Sequence, residues 1–137
     1  MTRRDRKFLV KNRSRQPMVN FYNNLDVYVV MGGDMIKNAE GHGVGLTVLE
    51  AMACGLPVIS TDYCDVSAII QPRWLVSIYP EDATVEQANY KLSILDNDRN
   101  LLRRVGDRNR QFALENRSWE KRVKDWDLLF EGVYRNG

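Results

Sequence analysis

Residues 25–61 leave this chain few architectures. Leu25-Asp26-Val27-Tyr28-Val29-Val30-Met31 is rich in β-branched residues and nearly all apolar, as expected of a strand buried on both faces. Residues 32–45 follow with Gly32, Gly33, Gly41, Gly43 and Gly45, five of the nine glycines, and form a loop. Residues 46–54 are rich in Leu, Glu, Ala and Met, all good helix formers. Gly55 stands where a left-handed cap ends a helix, and Pro57 stops the helix resuming. Val58-Ile59-Ser60-Thr61 is the next strand. Strands alternating with helices argue for a parallel α/β sheet.

The flanking segments extend that alternation. Phe8-Leu9-Val10 is a short strand candidate. Residues 16–24 are expected to be a helix with Pro17 in the first turn, where a missing N–H costs nothing. Either Val19 with Tyr22 or Met18 with Phe21 gives it a buried side. A helical turn is expected over 66–70 and a strand over 74–79. The rest is helical. Residues 84–96 place Val85, Ala88, Leu92 and Leu95 on one face, and 98–115 do the same with Leu101, Leu102, Val105 and Phe112. Ser118 can cap a last helix in which Trp119, Val123, Trp126, Phe130 and Val133 recur at helical spacing. The tryptophans are expected to be packing residues, although Trp74, opening a strand, is free to be exposed.

The chain has 137 residues, 44% hydrophobic and 28% charged, ordinary values for one soluble globular domain. The fold class expected is α/β: a partial Rossmann-like parallel sheet flanked by helices, with a helical C-terminal third. A basic arm over 1–15 would precede a single domain over 16–137. No apolar run approaches the roughly 18–20 residues of a membrane span, and no apolar h-region follows the basic start. Cys54 and Cys64 make neither a disulfide framework nor a C-x-x-C pattern; they are expected to be reduced thiols in a cytoplasmic protein. The single histidine, His42, rules out a site needing two. Net charge is only +2, yet Arg3, Arg4, Arg6, Lys7, Lys11, Arg13 and Arg15 cluster against one acid, Asp5. Such a block can contact nucleic acid or an anionic membrane; a solvated terminus is the plainer alternative. No aromatic residue interleaves with these charges before Phe8, so a stacking platform for bases is not indicated.

In parallel sheets, ligands sit beyond the carboxyl ends of the strands, where loops feed helix N-termini. The glycine loop after residues 25–31 lies in that position. Its glycines leave the backbone open to close approach. The helix beginning at Leu46 turns free N–H groups and a partial positive charge toward the loop, an arrangement that suits anions. Thr47 adds a hydroxyl in the first turn. Glu50 lies one turn further, near the face of Leu46 and Thr47, where a carboxylate can accept two hydroxyls of a ribose. On these features alone, a phosphate site and a structural loop both remain open. Asp62 and Asp65 follow the 58–61 strand, with turn and cap roles as the plainer alternative to ligand binding. Lys37 can reach a phosphate or stand solvated. Asp26 suits a structural hydrogen bond, and Cys54 a small core position.

The longer run is more specific. Asn20-Phe21-Tyr22-Asn23-Asn24-Leu25-Asp26-Val27-Tyr28-Val29-Val30, then Gly43-Val44-Gly45-Leu46-Thr47-Val48-Leu49-Glu50-Ala51-Met52-Ala53-Cys54-Gly55-Leu56-Pro57-Val58-Ile59, closely resembles the retaining glycosyltransferases of the glycogen-synthase-like group, which have the GT-B fold. Their C-terminal domain carries a segment like lYxxaDvfvlpS and then EGFGLxxLEAMAxGxPVI. Ser118-Trp119-Glu120 onward to Tyr134 looks like their closing helix. The resemblance covers roughly residues 16–135. It implies that backbone amides at Gly43, Val44 and Gly45 face the donor sugar and diphosphate. It implies that Leu46 and Thr47 contact phosphate and that Glu50 binds the nucleotide ribose. The implied reaction transfers a sugar from a nucleotide diphosphate with retention. The implied donor substrate is a nucleotide-sugar, with no cofactor and no required metal, because amides and basic residues neutralise the leaving group.

Three departures shape what is expected of the site. The family carries two glutamates eight positions apart; counting back from Glu50 gives His42, and Glu40 reaches that place by a two-residue slip. His42 and Glu40 are therefore the catalytic candidates. An imidazole can stand in for the carboxylate against sugar hydroxyls, or the site has decayed. The family's basic pair that grips the diphosphate comes from further upstream than the 24 residues preceding position 25 can hold. The acceptor domain and the first donor-domain strands lie outside these 137 residues. A sheet without those strands exposes an apolar edge or face, which is normally covered. The expectation is a homo-oligomer, a partner chain over the incomplete sheet, or an N-terminus rearranged across it, with transfer only in the presence of additional polypeptide. The alternative is a non-catalytic nucleotide-binding or protein-interaction module.

Overall fold

A computed structural model of the chain describes residues 15–31, 45–62, 64–76 and 81–135. In order, these form α1 (Arg15–Asn23), β1 (Tyr28–Val30), α2 (Leu46–Ala53), β2 (Val58–Thr61), 3-10 turns at Cys64–Ala68 and Pro72–Trp74, β3 (Leu75–Val76), α3 (Glu81–Asn97), α4 (Arg99–Arg117) and α5 (Trp119–Arg135). β2 pairs in parallel with β1, Tyr28 opposite Val58, and with β3, Ser60 opposite Leu75. The sheet order is β1-β2-β3. The fold is therefore the expected α/β arrangement, a partial Rossmann-like parallel sheet flanked by helices with a helical C-terminal third. The strand expected at 8–10, the basic arm before Arg15 and the loop over 32–44 lie outside the described residues. No helix among the described residues is long and apolar enough to cross a membrane.

The core gathers on β2, where Val58, Ile59, Ser60 and Thr61 are each at most 1% exposed. Tyr22 of α1 and Val48, Ala51 and Met52 of α2 are buried against it, with Trp74, Leu95 and Val105 contributed by later elements. α2 stops as its sequence demands. Gly55 adopts φ 80°, the Gly55 N–H donates to the Met52 carbonyl at 2.9 Å, and the Leu56 N–H donates to the Ala51 carbonyl at 3.1 Å. That pair of bonds is the Schellman arrangement, which satisfies carbonyls the helix would otherwise leave open.

α4 completes this helix end. Its Asn109 side-chain amide donates to the Leu56 carbonyl and the Arg110 guanidinium donates to the Ala53 carbonyl, both at 2.9 Å. A cation there also complements the negative end of the α2 dipole. Gly106 permits the approach: a methyl group on it would fall inside the van der Waals shell of the Gly55 carbonyl oxygen. The start of α4 is set by Asp98, whose side chain accepts from the Leu101 N–H at 2.8 Å. Ser118 caps α5, its hydroxyl accepting from the Lys121 N–H at 3.3 Å.

Several expectations need correction. β1 is not buried on both faces: it has three residues, Val29 is 38% exposed, and the adjoining Met31 is 42% exposed. Among the described residues β1 pairs with β2 alone, so one of its edges lacks the neighbour that would cover these side chains. In α1 it is Tyr22 that is buried, with Met18 and Phe21 packed against the core and Val19 turned out. The 3-10 turn begins at Cys64, two residues before the helical turn expected from Val66. Trp74 ends a 3-10 turn and does not open a strand; it is 2% exposed. The strand after it is described only at Leu75–Val76, because 77–79 lie outside the described residues. Val85 is exposed at the start of α3, while Ala88 and Leu95 on the same helix are buried. Trp119 and Trp126 are exposed, because nothing described covers that face of α5.

Candidate functional site

The β1-α2-β2 series directs the N-terminus of α2 toward the carboxyl ends of the parallel strands, the side on which such sheets receive ligands. Gly45 is the N-cap, with φ −58° and ψ 134°, and no side chain caps this end. In the first turn the Val48 N–H donates to the Gly45 carbonyl at 3.0 Å; the Leu46 and Thr47 amides are those that a helix start offers to solvent or to a ligand. Any residue can adopt the Gly45 backbone angles, so its lack of a side chain is not a conformational requirement. A Cβ there would lie 3.7 Å from the Thr47 hydroxyl, in the space a ligand approaching Thr47 would use.

The two faces of α2 differ sharply. Val48, Ala51 and Met52 are wholly buried, whereas Leu46, Thr47 and Glu50 are exposed. The latter sit at spacings of three and four and so share one side of the helix. These are the residues of which phosphate and ribose contacts are expected. Glu50 is not free to swing: the Tyr22 hydroxyl donates to its Oε2 at 2.9 Å. Burial, followed by this hydrogen bond to the carboxylate, holds the Tyr22 phenol well above its usual range, so it remains a proton donor. Cys54, at the far end of the helix, is half-buried, and burial raises its thiol too.

The described residues bring together Gly45, Leu46, Thr47 and Glu50. Glu40, His42, Gly43 and Val44 lie outside them, as do Asp34 and Lys37. Asp62 is exposed just beyond β2, its N–H donating to the Val76 carbonyl at 3.0 Å. Asp26 has the structural partner its position suggested, since Arg99 of α4 donates to it at 3.1 Å.

Sequence reasoning missed the link between Tyr22 and Glu50. The available signal was the Tyr22-to-Asp26 interval, which matches the tyrosine and aspartate of the resembled motif. It also missed a cavity of about 350 Å³ lined by Asp26, Val27, Leu92, Ser93, Asp96 and Arg99. That cavity lies at the amino end of β1, away from the start of α2. Arg99 lies 3.1 Å from Asp26 and 3.5 Å from Asp96, so the charges lining it answer one another. The start of α2 is the better candidate because the Thr47 hydroxyl and the Glu50 carboxylate are exposed together on one face beside the first-turn amides.

The family model for glycosyl transferases group 1 matches residues 4–112. The chain belongs to this family. Among its relatives, N-acetyl-alpha-D-glucosaminyl L-malate synthase of Bacillus anthracis is 30% identical over 131 residues, covering 93% of this chain and 34% of that protein. An uncharacterized glycosyltransferase of Methanocaldococcus jannaschii is 24% identical over 92 residues, covering 67% of this chain and 23% of its own length. The chain thus spans about a third or less of these curated relatives. No solved structure matches it. Glycosyl transfer is the chemistry of the group 1 family.

Proposed function

We propose that this chain is the nucleotide-sugar-binding portion of a retaining glycosyltransferase and that it transfers sugar only together with additional polypeptide. The observation that carries this reading is the outward carboxylate of Glu50, one turn from the uncapped start of α2. Diphosphate would lie against the Gly45–Thr47 end, where amides and the helix dipole offset its charge. The ribose would reach Glu50, which accepts its hydroxyls in charge-assisted hydrogen bonds. Gly43 and Val44 would face the donor sugar, with His42 or Glu40 at its hydroxyls. No metal enters this scheme, because backbone dipoles take the role of the cation.

The chain covers 34% of its Bacillus anthracis relative, which supports assigning the acceptor side of the reaction, in this reading, to polypeptide beyond it. That could be a further domain, a partner chain or a second copy. The edge of β1 that is unpaired among the described residues and the exposed face of α5 are the places where such polypeptide would rest. The relative's name makes an N-acetylglucosaminyl donor the first sugar to try.

Calorimetric titration of the chain with UDP, GDP and their N-acetylglucosamine conjugates tests the reading. Binding is expected, and Glu50→Ala should weaken it about ten- to a hundredfold, the value of losing hydrogen bonds to a charged group. A folded chain that binds none of these at millimolar concentration would refute the donor site and favour the interaction-module alternative. Equal binding by Glu50→Ala would remove Glu50 from it.

A further inference from the structure

We infer that Tyr22 is a positioning residue for the ribose, acting through Glu50: it holds one carboxylate oxygen so that the other meets the ligand in a fixed orientation. This rests on the donor-site reading above and adds to it a residue that touches no ligand itself.

The argument starts from mobility. A glutamate on the exposed face of a helix ordinarily samples several rotamers, and a ligand that needs one of them must bear the cost of selecting it. Glu50 is in that situation by exposure but not by contact. Its Oε2 accepts the Tyr22 hydroxyl at 2.9 Å, across 28 positions of sequence. The tyrosine end of this bond is anchored. Tyr22 is 2% exposed, and its ring meets Phe21 edge-on at 5.5 Å and Tyr28 at 5.7 Å between centroids. Tyr28 belongs to β1, whose register on β2 is fixed. The chain of contacts therefore runs from the sheet through a buried ring to a carboxylate at the surface.

The polarity of the bond matters as much as its rigidity. A buried phenol that keeps its proton can only donate to the carboxylate. Oε2 has thus given one acceptor site to the protein, while Oε1 has no hydrogen-bond partner among the described residues and is the oxygen offered to the ligand. A carboxylate so arranged accepts from hydroxyls and repels carbonyl and phosphate oxygens. It suits the vicinal diol of a ribose and disfavours the reverse pose, with phosphate at Glu50. Tyr22 would accordingly sharpen the preference for ribonucleotides over analogues without the diol. A residue needed only for folding would weaken both kinds of ligand together.

Titrating wild type and Tyr22→Phe with UDP and GDP, and with their 2′,3′-dideoxy counterparts, separates the two roles. The phenylalanine ring keeps the contacts with Phe21 and Tyr28, so the fold should persist. Tyr22→Phe is expected to weaken the ribonucleotides about three- to tenfold, the effect of releasing one side chain, and to leave the dideoxy forms unchanged. In a Glu50→Ala background the same substitution should have no further effect. NMR couplings of the Glu50 side chain, read without ligand, should change from one rotamer to an average. Equal weakening of both sugar forms, or Glu50 couplings unaltered by Tyr22→Phe, would overturn the positioning role and leave the donor site standing. Failure of wild type to bind either sugar form would overturn the donor site, and the positioning role with it.

Discussion

α2 and α5 show how differently two apolar helices of one chain can be used. α2 has eight residues, three of them buried, and its last carbonyls are taken up by its own cap and by α4. α5 has 17 residues and buries none. Yet α5 has the more regular pattern: Trp119, Val123, Trp126, Phe130 and Val133 alternate at intervals of four and three, the spacing of a helix-packing seam. These five residues are 54–76% exposed. Trp126 and Phe130 stack on each other, centroids 5.8 Å apart, and the helix carries only exposed ion pairs such as Arg122 with Asp125 at 3.6 Å. Periodicity shows which face of a helix is apolar. Whether that face is covered depends on what the rest of the polypeptide brings to it.

Paired tryptophan substitutions test the contrast most severely. Trp74→Ala should lower unfolding stability by about 3–5 kcal/mol, as for large core aromatics. Trp126→Ala should change it by no more than about 0.5 kcal/mol. Chemical denaturation of both variants checks this, and a large loss for Trp126→Ala would mean that α5 is covered in solution. A smaller contrast lies in two helical glycines. Gly106→Ala drives a methyl into the Gly55 carbonyl and should cost about 1–3 kcal/mol. Gly132→Ala meets nothing within 4 Å and should stabilise by about 0.5–1 kcal/mol through helix propensity. Opposite shifts in thermal midpoint are expected, and shifts of the same sign would contradict the packing described. The mildest change is Gly45→Ala. Its backbone angles suit any residue, so stability should stay within about 0.5 kcal/mol, while nucleotide affinity measured by titration should fall. Unaltered affinity would show that the space beside Thr47 is not used.

The parts of the fold governed by local chemistry were legible in the sequence. Gly55 and Pro57 ended α2 as expected, and β2 occupies the 58–61 segment read from its composition. Asp98 and Ser118 cap their helices because a short polar side chain can reach an amide three residues on. Features decided by distant neighbours were not legible. Val29 looked like core because the composition of its segment cannot report whether its sides are covered, and among the described residues β1 pairs with β2 alone. Trp126, expected to pack, is exposed, whereas Trp74, which was free to be exposed, is buried. Nothing local to Gly106 in the sequence reports that the Gly55 carbonyl lies against it. At the candidate site, Glu50 was identified from its position on the helix, whereas its partner Tyr22 lies 28 positions away and becomes visible only when α1 is laid beside α2.

The hold of α4 on the end of α2 also has a bearing on synthesis. Asn109 and Leu56 are 53 positions apart, and Arg110 and Ala53 are 57 apart. An isolated helix shorter than about 12 residues is marginal in water, so the eight-residue α2 depends on partners to persist. One of those partners is translated much later, and at ribosomal speeds of about 5–20 residues per second the delay is several seconds. During that interval a nascent chain already holds the residues of α2 but lacks the clamp on its C-terminal end. That end of the helix would accordingly settle only after α4 has emerged.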